Sequence, residues 1–148
     1  MELNKVINLT IKNFTFHTLP PEVTSKLFQD GRVFSHFIEH QLAQDFGLTH
    51  VSGCKSHDMV DPHNPEIKYE QKTFTARGCK IMPSSMIGKG RKFDKTIFAE
   101  KAAKLIYIIV SNADFPNIKI KFSAGTDMVA LYPNGSIPFS DHDKFFST

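Results

Sequence analysis

His57-Asp58-Met59-Val60-Asp61-Pro62-His63-Asn64-Pro65-Glu66-Ile67-Lys68-Tyr69-Glu70-Gln71-Lys72-Thr73-Phe74 is the stretch around which the 148-residue chain is organised. Asp58 to Asp61 suits a short strand. Pro62-His63-Asn64-Pro65 breaks regular structure and reverses the chain, because each proline fixes φ and removes a donor. Glu66 to Phe74 reads as a second strand, with Ile67, Tyr69, Thr73 and Phe74 as its β-formers. Side chains alternate along a strand, so Glu66, Lys68, Glu70 and Lys72 share one face and Ile67, Tyr69, Gln71 and Thr73 the other. The hairpin therefore predicts that Asp58 approaches Glu70 and Lys72 on the neighbouring strand.

Two carboxylates and an ammonium at one point suit a hard divalent cation. Mg²⁺ takes oxygen ligands and keeps several waters, so two carboxylates and a substrate phosphate suffice. Such an ion polarises a phosphoryl oxygen and acidifies its water. A lysine two residues beyond the second carboxylate projects from the same face and can stabilise charge building on the phosphorus centre.

In these residues the stretch resembles the PD-(D/E)XK, or restriction-endonuclease-like, nucleases. Asp58, two apolar residues, a tight turn and Ile67-Lys68-Tyr69-Glu70-Gln71-Lys72 look like that family's hairpin, with His57 standing where a proline often precedes the aspartate. The resemblance implies that Asp58 and Glu70 hold Mg²⁺, with Mn²⁺ able to substitute, and that Lys72 serves the attacking water. It also implies an acidic residue from the preceding helix, a place Glu39 could fill; the bland alternative is a solvated glutamate at a helix edge. Two rivals stand beside this assignment. Asp61 could replace Asp58, although its place beside the reversal suits a turn residue. Glu66-Ile67-Lys68 is a second Glu-x-Lys; Glu70-Gln71-Lys72 is preferred because Ile67 and Tyr69 anchor the strand before it.

Outside the hairpin, the length fits one domain spanning 1–148, large enough for a real core. Hydrophobic residues make up 41%, with fourteen Phe and no Trp, which excludes a disordered chain. No apolar run approaches a membrane span, and the N-terminus has no signal-peptide pattern, so no membrane partner is expected. Cys54 and Cys79 are too few for a disulfide framework, which suits a reducing cytoplasm. Eighteen Lys and Arg against fifteen Asp and Glu give a formal charge of +3, which permits nucleic-acid binding without arguing for it.

In chain order, Lys5 to Thr18 carries a strand alternation with Phe14 and Phe16 beyond it. A short helix is predicted from Glu22 to Gln29, entered through Pro21, and a second from Val33 to Phe46. The second has Phe34, Phe37, Ile38, Leu42 and Phe46 as its inner stripe and Gly47 as C-cap. Cys54-x₂-His57 with His63 and Cys79 invites a zinc reading, but the second half lacks paired spacing, and structural cysteines are the preferred alternative. Thr75 to Lys92 is irregular and carries Arg77, Lys80, Lys89, Arg91 and Lys92 among three glycines, the best candidate for DNA contact; a solvated loop is the alternative. Lys68 belongs to the same expected binding set.

A helix from Phe93 to Lys104 follows, capped by Asp94, with Ile97, Phe98, Ala102 and Leu105 facing inward. Leu105 to Ser111 is an apolar run expected to be a strand buried on both faces. Asn117 to Phe122 alternates as a half-exposed strand, Gly125-Thr126 interrupts, and Asp127 to Tyr132 is either helix or strand. Pro133-Asn134-Gly135 turns, and a terminal helix is capped by Asp141.

The expected fold is α/β (α+β): a mixed central sheet flanked by helices, the restriction-endonuclease-like core order of helix, hairpin, loop, helix and buried strand. The expected function is metal-dependent hydrolysis of phosphodiester bonds in DNA, probed best on duplexes. Cutting both strands would favour a homodimer with the symmetry of the duplex. Two other classes stay open: a catalytically silent DNA-binding protein on the same fold, and an interaction protein in which Glu66 to Lys72 is only a solvated, charge-alternating strand face.

Overall fold

The computed structural model describes residues 2–12, 15–53 and 57–147; Phe14 and Cys54 of the readings above lie outside the described residues. The strands are β1 (Val6–Thr10), β2 (Thr49–His50), β3 (Met59–Val60), β4 (Lys68–Phe74), β5 (Cys79–Lys80), β6 (Leu105–Ser111), β7 (Asn117–Ala124) and β8 (Ser136–Ile137). The helices are α1 (Pro21–Phe28), α2 (Gly31–Phe46), α3 (Lys95–Ala102), α4 (Gly125–Leu131) and α5 (His142–Phe145).

Six strands form one mixed sheet in the order β1-β7-β6-β4-β3-β2. β4 and β6 run parallel, joined through α3, while the other neighbours are antiparallel. β6 is the apolar run Leu-Ile-Tyr-Ile-Ile-Val-Ser, buried from Tyr107 onward, as a central strand covered on both faces requires. Its alternation splits the core in two. Ile108 and Val110, with Tyr69 and Phe122, pack under Phe28, Phe34, Ile38 and Leu42 of α1 and α2. Tyr107 and Ile109, with Phe74, pack under Phe98 of α3, Met128 of α4 and Phe145 of α5. Burying each such aromatic or aliphatic side chain contributes about 1.5–3 kcal/mol.

Local chemistry sets the helix ends. Pro21 opens α1, and the Asp30 side chain accepts from the Arg32 N–H at 2.9 Å to start α2. That cap places the start at Gly31, two residues before the predicted Val33. Gly47 closes α2 in the left-handed region at φ 63°. Asp94 caps α3 by accepting from the Ile97 N–H at 3.0 Å.

Several expectations are corrected. Phe37 and Ile97 point outward, with 57% and 42% of their surfaces exposed, so neither belongs to the inner stripe. Gly125 opens α4 rather than interrupting a strand, and Asp127 lies inside that helix. A Cβ on Gly125 would stand 1.7 Å from the Ala102 carbonyl oxygen, so only glycine lets α4 approach the end of α3 this closely. Asp141 stands at the cap position of α5, but its side chain makes no capping bond. The region after Thr75 is not wholly irregular: β5 pairs with β8 through Cys79↔Ile137 and Lys80↔Ser136. Among the described residues no helix is long and apolar enough to cross a membrane.

Candidate functional site

The hairpin forms as the sequence indicates, with Met59 opposite Tyr69 and Val60 opposite Lys68. Asp61 belongs to the reversal: its Oδ1 accepts from the N–H groups of His63 and Asn64 at 2.8 and 3.1 Å. Asp58 sits at the other end, where β3 leaves the sheet. Its backbone N–H donates to the Tyr69 carbonyl at 2.9 Å, and its Oδ2 accepts from the Gln71 N–H at 2.8 Å. The carboxylate thus takes the next donor of β4 in place of a strand residue. This explains both the two-residue length of β3 and the fixed position of Asp58.

Beyond that point the Glu70–Lys72 edge of β4 opens into a cleft. The Lys72 ammonium is 3.2 Å from Glu70 Oε1, and the two side chains are only 12% and 16% exposed, so they are not a solvated strand face. Lys72 also donates to the Met82 carbonyl at 3.3 Å, which fixes its far end. Burial raises the pKa of Asp58; the nearby Glu39 carboxylate raises it further, while the Gln71 N–H and Lys72 oppose the rise. Burial likewise pushes Glu70 up to about 7 against the pull of Lys72, with Asp58 and Glu39 adding repulsion. Three carboxylates therefore lie within electrostatic reach of one another. Glu39, from the third turn of α2, is held by His50: Nε2 stands 3.2 Å from Oε2, and the His50 ring stacks on His40 at 4.7 Å.

The cleft encloses about 1010 Å³. α2 forms one wall through Arg32, Ser35 and Glu39, and Glu70 to Thr73 of β4 form the floor. The turn from Thr75 to Gly78, with Lys80, closes the far end. The chain matches no protein-family model, no curated protein and no solved structure. The case for function therefore rests on this cleft.

The donor set was tested against a divalent metal. Among the described residues no three His, Cys, Asp or Glu side chains form a group that could hold an ion unaided. Mg²⁺ demands less, since one or two carboxylates and substrate phosphates complete a shell that keeps its waters. Asp58 and Glu70 offer hard oxygen donors whose burial and mutual repulsion a cation would relieve, so they fit Mg²⁺. The zinc reading has no comparable geometry: Cys79 is buried in the core, its thiol pushed up to about 12 by burial, and His63 lies exposed in the turn.

Of the residues singled out from sequence, Asp58, Glu70, Lys72, Glu39 and Arg77 line this cleft. Lys68, Lys89, Arg91 and Lys92 do not line it. Lys68 is half-buried opposite Val60, and Lys89 and Lys92 are exposed. The Arg91 guanidinium is engaged locally, donating to the carbonyls of Ser84 and Ile87 at 2.7 and 3.2 Å. Sequence reasoning missed Arg32 and the support His50 gives Glu39. No periodic signal marks either one.

A Ser-His-Asp chain occurs elsewhere. Ser111 Oγ is 2.7 Å from His142 Nε2, and His142 Nδ1 is 3.1 Å from Asp143 Oδ1. Ser111 and the His142 ring are buried beneath α5, which leaves no room for a substrate. The chain fastens the C-terminal helix to β6.

Proposed function

We propose that the protein is a Mg²⁺-dependent DNA endonuclease, with Mn²⁺ able to substitute, built on a restriction-endonuclease-like core. The observation that carries this reading is the convergence of buried Asp58 and Glu70 with Lys72 at the open end of the β3–β4 hairpin. Supporting the core assignment, α2, the hairpin, α3 and β6 follow one another in the expected order, with β6 parallel to β4.

Asp58 and Glu70 would hold the metal. Gln71 N–H occupies Asp58 Oδ2 and leaves Oδ1 with no hydrogen-bond partner among the described residues, available as a ligand. The chemistry Mg²⁺ supplies is polarisation of the scissile phosphoryl group and activation of the attacking water. Lys72, tethered to Met82 and Glu70, presents a fixed ammonium beside that phosphate. Pre-set charge of this kind stabilises the transition state without reorganisation. Glu39, oriented by His50, adds a third carboxylate on the facing wall and orients water or ligand there.

Double-stranded DNA is the proposed substrate, and one site per chain favours a homodimer for cutting both strands. Lys68, Arg77, Lys89, Arg91 and Lys92 remain the proposed DNA-contact set, with Arg77 the member inside the cleft. Incubating the purified protein with supercoiled plasmid tests the reading: nicked or linear product in Mg²⁺ and none in EDTA is expected. A salt-dependent gel shift without cleavage in Mg²⁺ or Mn²⁺ would instead mark a silent DNA-binding protein.

A further inference from the structure

The cleft has two ends of opposite character. A Cβ on Gly31 would lie 2.9 Å from Thr75 Cγ2 and 3.7 Å from Thr73 Cγ2, so the start of α2 stands over the far end of β4. Further along α2, Glu39 acts electrostatically on Asp58 and Glu70. The wall and floor therefore run antiparallel, and the charges can be followed along them. Lys72 is paired with Glu70. Arg32 faces Asp30 across 3.7 Å, but with its own side chain 94% exposed the pairing is weak. What remains is carboxylate at one end, from Glu39 and Asp58, and cation at the other, from Arg77 and Lys80. Among the described residues neither the Arg77 guanidinium nor the Lys80 ammonium has a hydrogen-bond or ion-pair partner.

Both cations sit on fixed backbone. Thr75 and Gly78 exchange two backbone hydrogen bonds of 3.1 and 3.0 Å, Arg77 N–H donates to Thr75 Oγ1 at 3.1 Å, and Lys80 is paired to Ser136. Gly78 holds this turn at φ 99°, in contact with the Ile137 carbonyl.

We propose that Arg32, Arg77 and Lys80 form a second anion subsite, which grips a non-scissile phosphate of the DNA strand being cut. The subsite rests on the nuclease reading and gives it a direction. From Arg32 to Glu39 is about 10 Å along the helix axis at 1.5 Å per residue. From Glu70 to Thr75 is about 17 Å along the strand at 3.4 Å per residue. At about 3.4 Å of duplex rise per nucleotide, the two ends are roughly three to five nucleotides apart. The substrate must therefore extend past the cut on the side of Arg77, while its other side can be short.

The test uses the Asp58→Asn protein, in which cutting is removed and DNA binding can be measured in Mg²⁺. In that background Arg77→Ala with Lys80→Ala is compared with Lys101→Ala with Lys104→Ala. The control pair removes two exposed cations from the α3 region, outside the cleft. Anisotropy with a short duplex across a salt series should show the slope of log K against log salt flattened by roughly two units in the cleft pair, about 0.9 for each phosphate lost, and nearly unchanged in the control. In the protein that cuts, a neutral methylphosphonate three to five nucleotides from the cut should slow cleavage on one side only. Mg²⁺ affinity measured by calorimetry on the Arg77/Lys80 pair alone should match the wild type. Equal slopes for the two pairs, or equal sensitivity to methylphosphonates on both sides, would overturn the subsite while leaving the nuclease reading intact. Absence of both binding and plasmid cleavage would overturn the nuclease reading and the subsite with it.

Discussion

Replacing Glu70 with Gln should stabilise the metal-free protein above neutral pH. The folded protein holds the Glu70 proton up to about 7, against an ordinary value of 4.5, because burial disfavours the carboxylate. The folded state thus binds more protons than the unfolded chain between these values, so stability is lost as pH rises through that window. At 1.36 kcal/mol per pKa unit, the ionised Glu70 costs the native state about 3 kcal/mol at pH 8. The attraction of Lys72 is already contained in that figure, since it opposes the rise that burial causes. Glutamine keeps the shape without the charge. In EDTA the variant should therefore match the wild type near pH 5 and exceed it at pH 8 by roughly 6–12 °C in Tm, at 2–4 °C per kcal/mol for a chain of this size. Mg²⁺ should narrow the gap from the other side, adding about 2.7 kcal/mol to the wild type at a hundredfold excess over Kd and little to the variant. Thermal unfolding followed by circular dichroism across pH, with and without metal, reads both effects. Parallel Tm profiles for the two proteins from pH 5 to 8 in EDTA would refute the argument, because Glu70 would then ionise as freely folded as unfolded.

The two lysines of β4 should separate. Lys72→Ala should lower the cleavage rate by about 10² or more, the order expected for losing a transition-state electrostatic donor, while leaving DNA affinity nearly unchanged. Lys68→Ala should weaken binding and flatten its salt dependence, with kcat preserved; the reverse pattern in steady-state cleavage would move the site two residues up the strand. Gly125→Ala forces a Cβ onto the Ala102 carbonyl, and should cost at least the top of the roughly 1–3 kcal/mol range for overpacking, read by urea unfolding.

Sequence patterns revealed those parts of the fold that local chemistry decides. The Asp-Met-Val/Tyr-Glu-Gln-Lys hairpin and the apolar β6 follow from strand periodicity, and Gly47 and Asp94 end helices through their own backbone and side chain. The rest depends on partners distant in sequence. β5 and β8 are two residues each and exist only because they pair with one another, so no window around Cys79 carries the signal. Phe37 and Ile97 fit a helical stripe equally well facing in or out, and what packs against α2 and α3 decides. Within the site, Asp58, Glu70 and Lys72 were legible because a hairpin register brings them together. The hold of His50 on Glu39 was not legible, because it joins α2 to β2. Arg91 counted as a free cation in the sequence, yet two carbonyls of its own loop occupy it.

The central claim is that cleavage runs through the Asp58–Glu70 carboxylates. Its most direct measurement is the rate of supercoiled plasmid loss in Mg²⁺ by Asp58→Asn beside wild type purified in parallel. The account predicts that the variant falls to a few per cent of the wild-type rate or below, while its affinity for the same DNA is unchanged or tighter, since a charge that repels phosphate has been removed. A variant that binds DNA and still cuts it at a rate close to wild type would contradict the account.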